Sequence, residues 1–481
     1  MLRHIGASGT SNASCSRILG TPATRPARQQ TTPLGSAVQI SALAVADEKM
    51  LGSLQRSAFD YFDQRGRSPN GLVADTSRRD SPCSIAVVGF ALSVYPVGIE
   101  RGWITRSEGL QRCLTAMRFF WRSDQSGTTE SSGCRGFYFH FLHMESGRRA
   151  WQCEVSIMDT ALLLAGMLTA AAYFTLDSDD ERELRDLATA LYGRVEWTWA
   201  QRPRGAVVHG WKPESGFLRY RWQGYSEALL LYVLGLGSPT HPLSDTSFHH
   251  WTSTYQWEHM YGIEFLFAAP LFAHQFPHAW IDFRGIRDDF MDKQQSDYFE
   301  NSRRATYVQR EYAICNPRGF TGYGENCWGL SASDGPGIPR QWISGRRRSF
   351  RGYAARGVPN GPDDGTISGP ATVASLAFAP EIVLPAIRQL LRHDVAAQGR
   401  AALASGFNNT VRPHETTGAQ GATSGGWISD GTFGLDQGLM VLMIENVRSG
   451  MVWRLLRGSP PIRTGLYRAG FRGGWLTDAM R

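Results

Sequence analysis

A chain of 481 residues, 42% hydrophobic, 11% aromatic and only 19% charged, can bury a large core and still line a cleft with aromatics. Its net charge of +7 is almost all arginine, since Lys49, Lys212 and Lys293 are the only lysines, and the one dense basic cluster is Arg346-Arg347-Arg348 with Arg351. No nucleic-acid-binding module carries that cluster, seven cysteines without a Cys-x-x-Cys make no disulfide framework, and no run reaches the ~18 apolar residues of a membrane span.

Residues 1–46 read as a disordered leader, of which 1–35 are rich in Ser, Thr, Pro, Gly and Arg. Ala37 to Ala46 is also compatible with a weak signal-peptide core, which would make the protein periplasmic or secreted; otherwise it is cytoplasmic. Periodicity starts at Leu51 and predicts a helix ending near Gly66. An extended loop follows over Gly71 to Thr76, and Ser81-Pro82 opens a second helix. Thr105 to Trp121 has Leu110, Leu114, Met117 and Phe120 at helical spacing. Gly136 to His143 alternates aromatic and polar residues, predicting a strand paired near Arg149–Trp151.

Cys153 to Phe174 is apolar on nearly every side and predicts a central helix, with Asp179 to Trp199 its amphipathic return. A helix opening at Glu227 comes next, then helical stretches near 258–274 and 285–312. A loop region rich in Gly, Asn, Asp and Trp spans 316–369; helices are expected over 370–394 and 433–447. A pairing of Cys315 with Cys327 is open. The alternation of all-round apolar and one-sided helices, about a dozen in number, argues for an all-α double ring, the (α/α)6 toroid, over residues 47–460. Residues 461–481 read as a tail. Loops of this length suit a site built at one end of such a ring.

Acids recur where the inner helices begin: Glu154, Asp159, Glu227, Glu325, Asp334, Asp363, Asp364 and Asp436. Aromatics sit beside them, among them Tyr138, Trp151, Trp222, Tyr225 and Trp328. Aromatic faces stack on sugar rings and paired carboxylates supply a general acid and base, so the pattern points to a carbohydrate cleft. Glu154 and Asp159 lie five residues apart, roughly 140° around a helix. Both can face one pocket only if the helix starts between them. His274-x-x-x-His278 has zinc-pair spacing, but Pro277 interrupts it and no Glu follows the first His, so no metal is expected. Gly224-Tyr225-Ser226-Glu227 lacks the second Gly of a nucleophile elbow.

The blocks Gly136–Leu142, Ser156–Leu163, Gly224–Ala228 with Gly237–Pro242, Trp280–Ile286, Asp297–Thr306 and Gly322–Leu330 resemble those of the putative-glucoamylase family. That family includes endo-β-1,2-glucanases (glycoside hydrolase family 144). The resemblance continues through Asp363–Thr366 and Gly434–Gly438, covering roughly 50–455. It implies an (α/α)6 toroid, secreted or periplasmic, that cuts a β-linked glucan by inversion; no cofactor and no nucleic-acid partner are expected. It carries Asp159 and Glu227 over as catalytic acids. Glu154, Tyr138, Trp222, Tyr225, Arg304, Glu325, Trp328 and Asp364 become candidate substrate or supporting groups, and the expected state is a monomer. The base is open between Asp159, Asp364 and Asp436. Ser226 stands where Asn is expected and Met158 where a smaller β-branched residue is usual, and the stretch Arg340–Arg356 is longer than expected. The competing readings are a transglycosylase-type module of cyclic β-1,2-glucan metabolism and a non-catalytic glycan-binding toroid.

Overall fold

The computed structural model describes residues 44–202, 205–396, 403–411, 422–423 and 426–477. The expected leader therefore lies outside them up to residue 43. Helices dominate, and the most apolar ones are buried on all sides: Ile85–Glu100, Ile157–Tyr173, Ala228–Gly237 and Gly434–Arg448. They form a closed circuit. The 85–100 helix packs on 157–173, that on 228–237, then on Phe272–Trp280, on 434–448, and back to 85–100, with Gly369–Ala374 also against 434–448. Gly89 and Gly166 let the first two backbones touch; a Cβ on Gly166 would lie 2.0 Å from the Gly89 carbonyl oxygen.

One-sided helices lie outside this circuit. Val45–Arg65 packs on 434–448, Arg106–Arg122 on 85–100, Asp179–Gly193 on 106–122 and 157–173, Tyr298–Cys315 on 272–280, and Pro380–Ala396 on 369–374. Three of these starts carry side-chain caps: Thr105 and Glu108 form a capping box, and Ser178 and Asp297 accept from Glu181 N–H and Glu300 N–H. Among the described residues no helix is long and apolar enough to cross a membrane.

Short strands tie the helix mouths together at one end. A five-stranded antiparallel sheet runs Gly133–Cys134, Phe137–Phe139, Val155–Ser156, Gly210–Lys212, Gly216–Phe217. Cys83–Ser84 pairs with Phe141–Leu142. The helices expected from Ser81 and Cys153 consequently start later, at Ile85 and Ile157, because the residues before them are engaged in these ladders. Tyr138 faces Ser156 in the sheet, while the expected pairing near Arg149 is a single bridge to Leu142.

Three further expectations are corrected. The stretch 258–274 opens as a hairpin, Trp257–Met260 with Ile263–Leu266, turned by Tyr261 and Gly262 at φ 54° and 79°. Positive φ at both central residues is a type I′ turn. Cys315 and Cys327 are both free thiols. The stretch read as a tail contains the helix Pro460–Arg468, which packs on 228–237; Arg468 donates to Leu236 O and pairs with Asp245. A Cβ on Gly465 would sit 1.9 Å from Val233 O. Gly465→Ala should therefore destabilise the fold by about 1–3 kcal/mol, the usual cost of overpacking. Urea unfolding checks this, and a midpoint equal to wild type would refute the close contact.

Candidate active site

Glu227 stands at the mouth of the 228–237 helix with φ −58° and ψ −14°. Gly224, at φ 70°, makes the turn that brings it there, and Thr254 Oγ1 accepts the Gly224 N–H at 2.7 Å. Half-buried, the Glu227 carboxyl is pushed up to about 7, chiefly by loss of water and further by the charge of Asp159. A hydrogen bond from its own backbone N–H offsets part of this.

Asp159 occupies the first turn of the 157–173 helix, and Glu154 precedes the strand that leads in, so the helix does begin between them. Ser156 caps that helix by accepting Asp159 N–H at 3.2 Å, while its own hydroxyl donates to Asp159 Oδ2 at 2.5 Å. His140 lies between the two acids. Its Nδ1 is 3.1 Å from Glu154 Oε1 and its Nε2 is 3.6 Å from Asp159 Oδ2. Burial alone would lower the imidazole, but Asp159, Glu154 and Asp75 outweigh it and raise it to about 9. Burial likewise opposes ionisation of Glu154, yet the imidazolium and Lys212 hold it near 2.

The acid group continues around the helix mouths. Asp75, in the loop before the 85–100 helix, is raised to about 6 by burial and by Asp159 and is lowered in part by His140. Its carbonyl accepts Gly434 N–H at 2.8 Å, joining that loop to the 434–448 helix. Asp436, in the first turn there, is raised to about 7 by burial, then by Asp75 and Asp334, against a hydrogen bond from Ser405. Helix N-termini offset part of this like-charge crowding. Tyr353, although 38% exposed as a residue, has its hydroxyl near the same acids: loss of water, then Asp436, Asp75, Asp159 and Asp334, push its phenol far up. Its ring stacks on Phe433 at 5.4 Å.

Several predicted residues lie elsewhere. Asp364 is a structural acid, buried and paired with the fully buried Arg356 at 2.7 and 2.9 Å, and it also accepts Arg351 N–H and Thr366 N–H. Those partners hold it below the usual carboxylate range despite its burial, and they occupy its oxygens, which removes it as a base. Tyr138 is 1% exposed, with its hydroxyl between Phe120 O and Arg194. Trp328, also 1% exposed, is core, and its carbonyl accepts from Thr372. Tyr225 is buried against Tyr255, His274 and Tyr298 as part of the core. Arg304 is bound to Glu300 and Glu264 O, and Glu325 is an exposed partner of Arg310. Trp222 is half-buried and stacks on His209 at 4.1 Å. The residues that sequence reasoning missed are Asp75, His140 and Tyr353. A polar His inside the aromatic strand 137–142 was the one available signal for His140.

A family model described as Glycoamylase, putative glucoamylase, matches residues 219–460, a span holding both Glu227 and Asp436. The chain belongs to that family. A solved structure described as a putative glucoamylase of Bacteroides uniformis is similar at 27% identity and a TM-score of 0.76, over 90% of this chain and 99% of its own. An endo-β-1,2-glucanase of Chitinophaga pinensis, solved with sophorotriose and glucose, shares the fold at 24% identity and TM-score 0.75, over 90% of this chain and 100% of its own. The exo β-1,2-glucooligosaccharide sophorohydrolase (non-reducing end) of Parabacteroides distasonis is 24% identical over 466 residues, covering 90% of this chain. The chain spans 59% of that relative's length.

His140→Gln tests the electrostatic centre of this glycoamylase site. Without the imidazolium, Glu154, Asp159 and Asp75 face one another with no cation between them. The expected result is a lower kcat and an acid limb of the kcat/KM profile moved to higher pH. An unmoved limb would reduce His140 to a packing role.

Proposed function

We propose that this chain is a glycoside hydrolase that cleaves a β-linked glucan, β-1,2-glucan in the first place, with inversion. The carrying observation is Glu227, half-buried and held protonated to about pH 7, sharing its field with Asp159, which a serine and a histidine fix in place. Glu227 is the general acid: it donates its proton to the glycosidic oxygen as the bond to the anomeric carbon breaks. Asp159 is the general base, taking a proton from a water that attacks the opposite face of the sugar, a geometry in which the carboxyls stand ~6.5–9.5 Å apart. We take the closed circuit of apolar helices and its outer layer as an (α/α)6 toroid, with the acids at one end of its axis.

Two similar proteins named for β-1,2-linked substrates support the choice of linkage, and the family description keeps an α-glucan as the control. The test is reducing-sugar release from linear β-1,2-glucan, with starch and β-1,3-glucan beside it, and NMR of the first-formed anomer. Release from β-1,2-glucan as the α-anomer is expected. Release from starch alone would overturn the linkage, and a β-anomer would overturn inversion.

A further inference from the structure

A hollow of about 670 Å³ opens beside the acid group, lined among others by Gln64, Arg65, Arg78, Ser81, His143 and Trp151. Its wall is shared with the site. Ala74, also in its lining, precedes Asp75, and Trp151 packs on Phe141 at 5.0 Å, which stacks on His140 at 4.0 Å. Trp151 is 65% exposed, an unusual place for an indole.

The backbone is held so as to present it. Trp151 and Gln152 both have positive φ, 54° and 51°, a region disfavoured for residues with a Cβ. A buried Arg149 pins this turn: its guanidinium donates to Cys153 O at 2.6 Å and Gln152 O at 2.8 Å and pairs with Glu214 at 2.5 Å. Lys212 Nζ adds a bond to Gln152 O at 2.9 Å. Backbone strain kept in place by the bonds of a buried arginine, with a large apolar ring turned to solvent as its result, is the pattern of a binding surface.

We propose that this hollow is a second binding station for the glucan, with Trp151 stacking on the apolar face of a pyranose beyond the units that meet Glu227 and Asp159. This rests on the glycoside-hydrolase reading above. The ligand class is a neutral oligosaccharide. The hollow is poorly suited to an anion, since Arg78 is already committed to Asp334 and Asp430, Arg65 donates to Ser77 O, and Asp80 and Glu145 share the lining. Gln64, also in the lining, brings an amide for sugar hydroxyls.

The experiment compares kcat/KM on long linear β-1,2-glucan and on a β-1,2-linked trisaccharide for wild type, Trp151→Ala and Trp151→Phe. The ratio of long to short substrate is expected to fall about tenfold in Trp151→Ala, through KM, as an aromatic contact of this size implies, and to stay near wild type in Trp151→Phe. An unchanged ratio in Trp151→Ala overturns the second station while leaving the hydrolase reading intact. A wild-type protein that cleaves no glucan overturns both.

Discussion

Glu227→Gln will lower hydrolysis of an unactivated glucan by about 10²–10⁴-fold while the fold stays in place. The amide has nearly the size of the carboxyl but no acidic proton to give the leaving oxygen. Because the side chain is half-buried and makes no cap to its helix, and the amide oxygen can still accept the residue's own N–H, the exchange keeps the local bonding. The pH profile adds a sharper check. Wild-type kcat/KM should fall as pH rises through about 7, where Glu227 loses its proton. The residual activity of the variant should lack that limb. Near-wild-type turnover, or an alkaline limb unchanged in the variant, would move the acid role to another group.

Asp159→Asn should cost a similar about 10²–10⁴-fold, now by removing the base. It also makes a second, independent change. Asp159 is one of the causes holding the Glu227 carboxyl high, so its neutral replacement should bring the Glu227 titration to lower pH. Carbon-detected NMR of labelled glutamate reads that shift without any turnover. An azide added as a small external nucleophile should restore cleavage to Asp159→Asn and not to Glu227→Gln, if the roles are as assigned. Full activity in Asp159→Asn would pass the base role to Asp436.

The apolar helices were legible because a segment buried on every side needs hydrophobic residues on every side, and 157–173, 228–237 and 434–448 have them. The hairpin at 257–266 was not. Trp257, Met260, Ile263 and Leu266 repeat every third residue and imitate a helix face, and only Tyr261-Gly262 marks the turn. In the site, acids placed just before apolar runs could be read, which found Glu227, Asp159, Glu154 and Asp436. Which aromatics are accessible could not, since the same residue type fills the core at Tyr138 and Trp328 and stands in solvent at Trp151. Asp364 misled for a related reason: its partner Arg356 sits beside a basic cluster that looks like surface, yet is wholly enclosed. The long Arg340–Arg356 stretch proved to be the segment that delivers both Arg356 and Tyr353.

The helix carrying Glu227 leans on Pro460–Arg468, and Arg468 grips Leu236 from 232 positions away in the chain. Asp159 and its strand partners are joined by far shorter spans. The Asp159 helix, for its part, packs on Met451–Arg457, so the helices behind both acids lean on the same late stretch of the chain. Loss of residues 451–468 would therefore unseat Glu227 and Asp159 together.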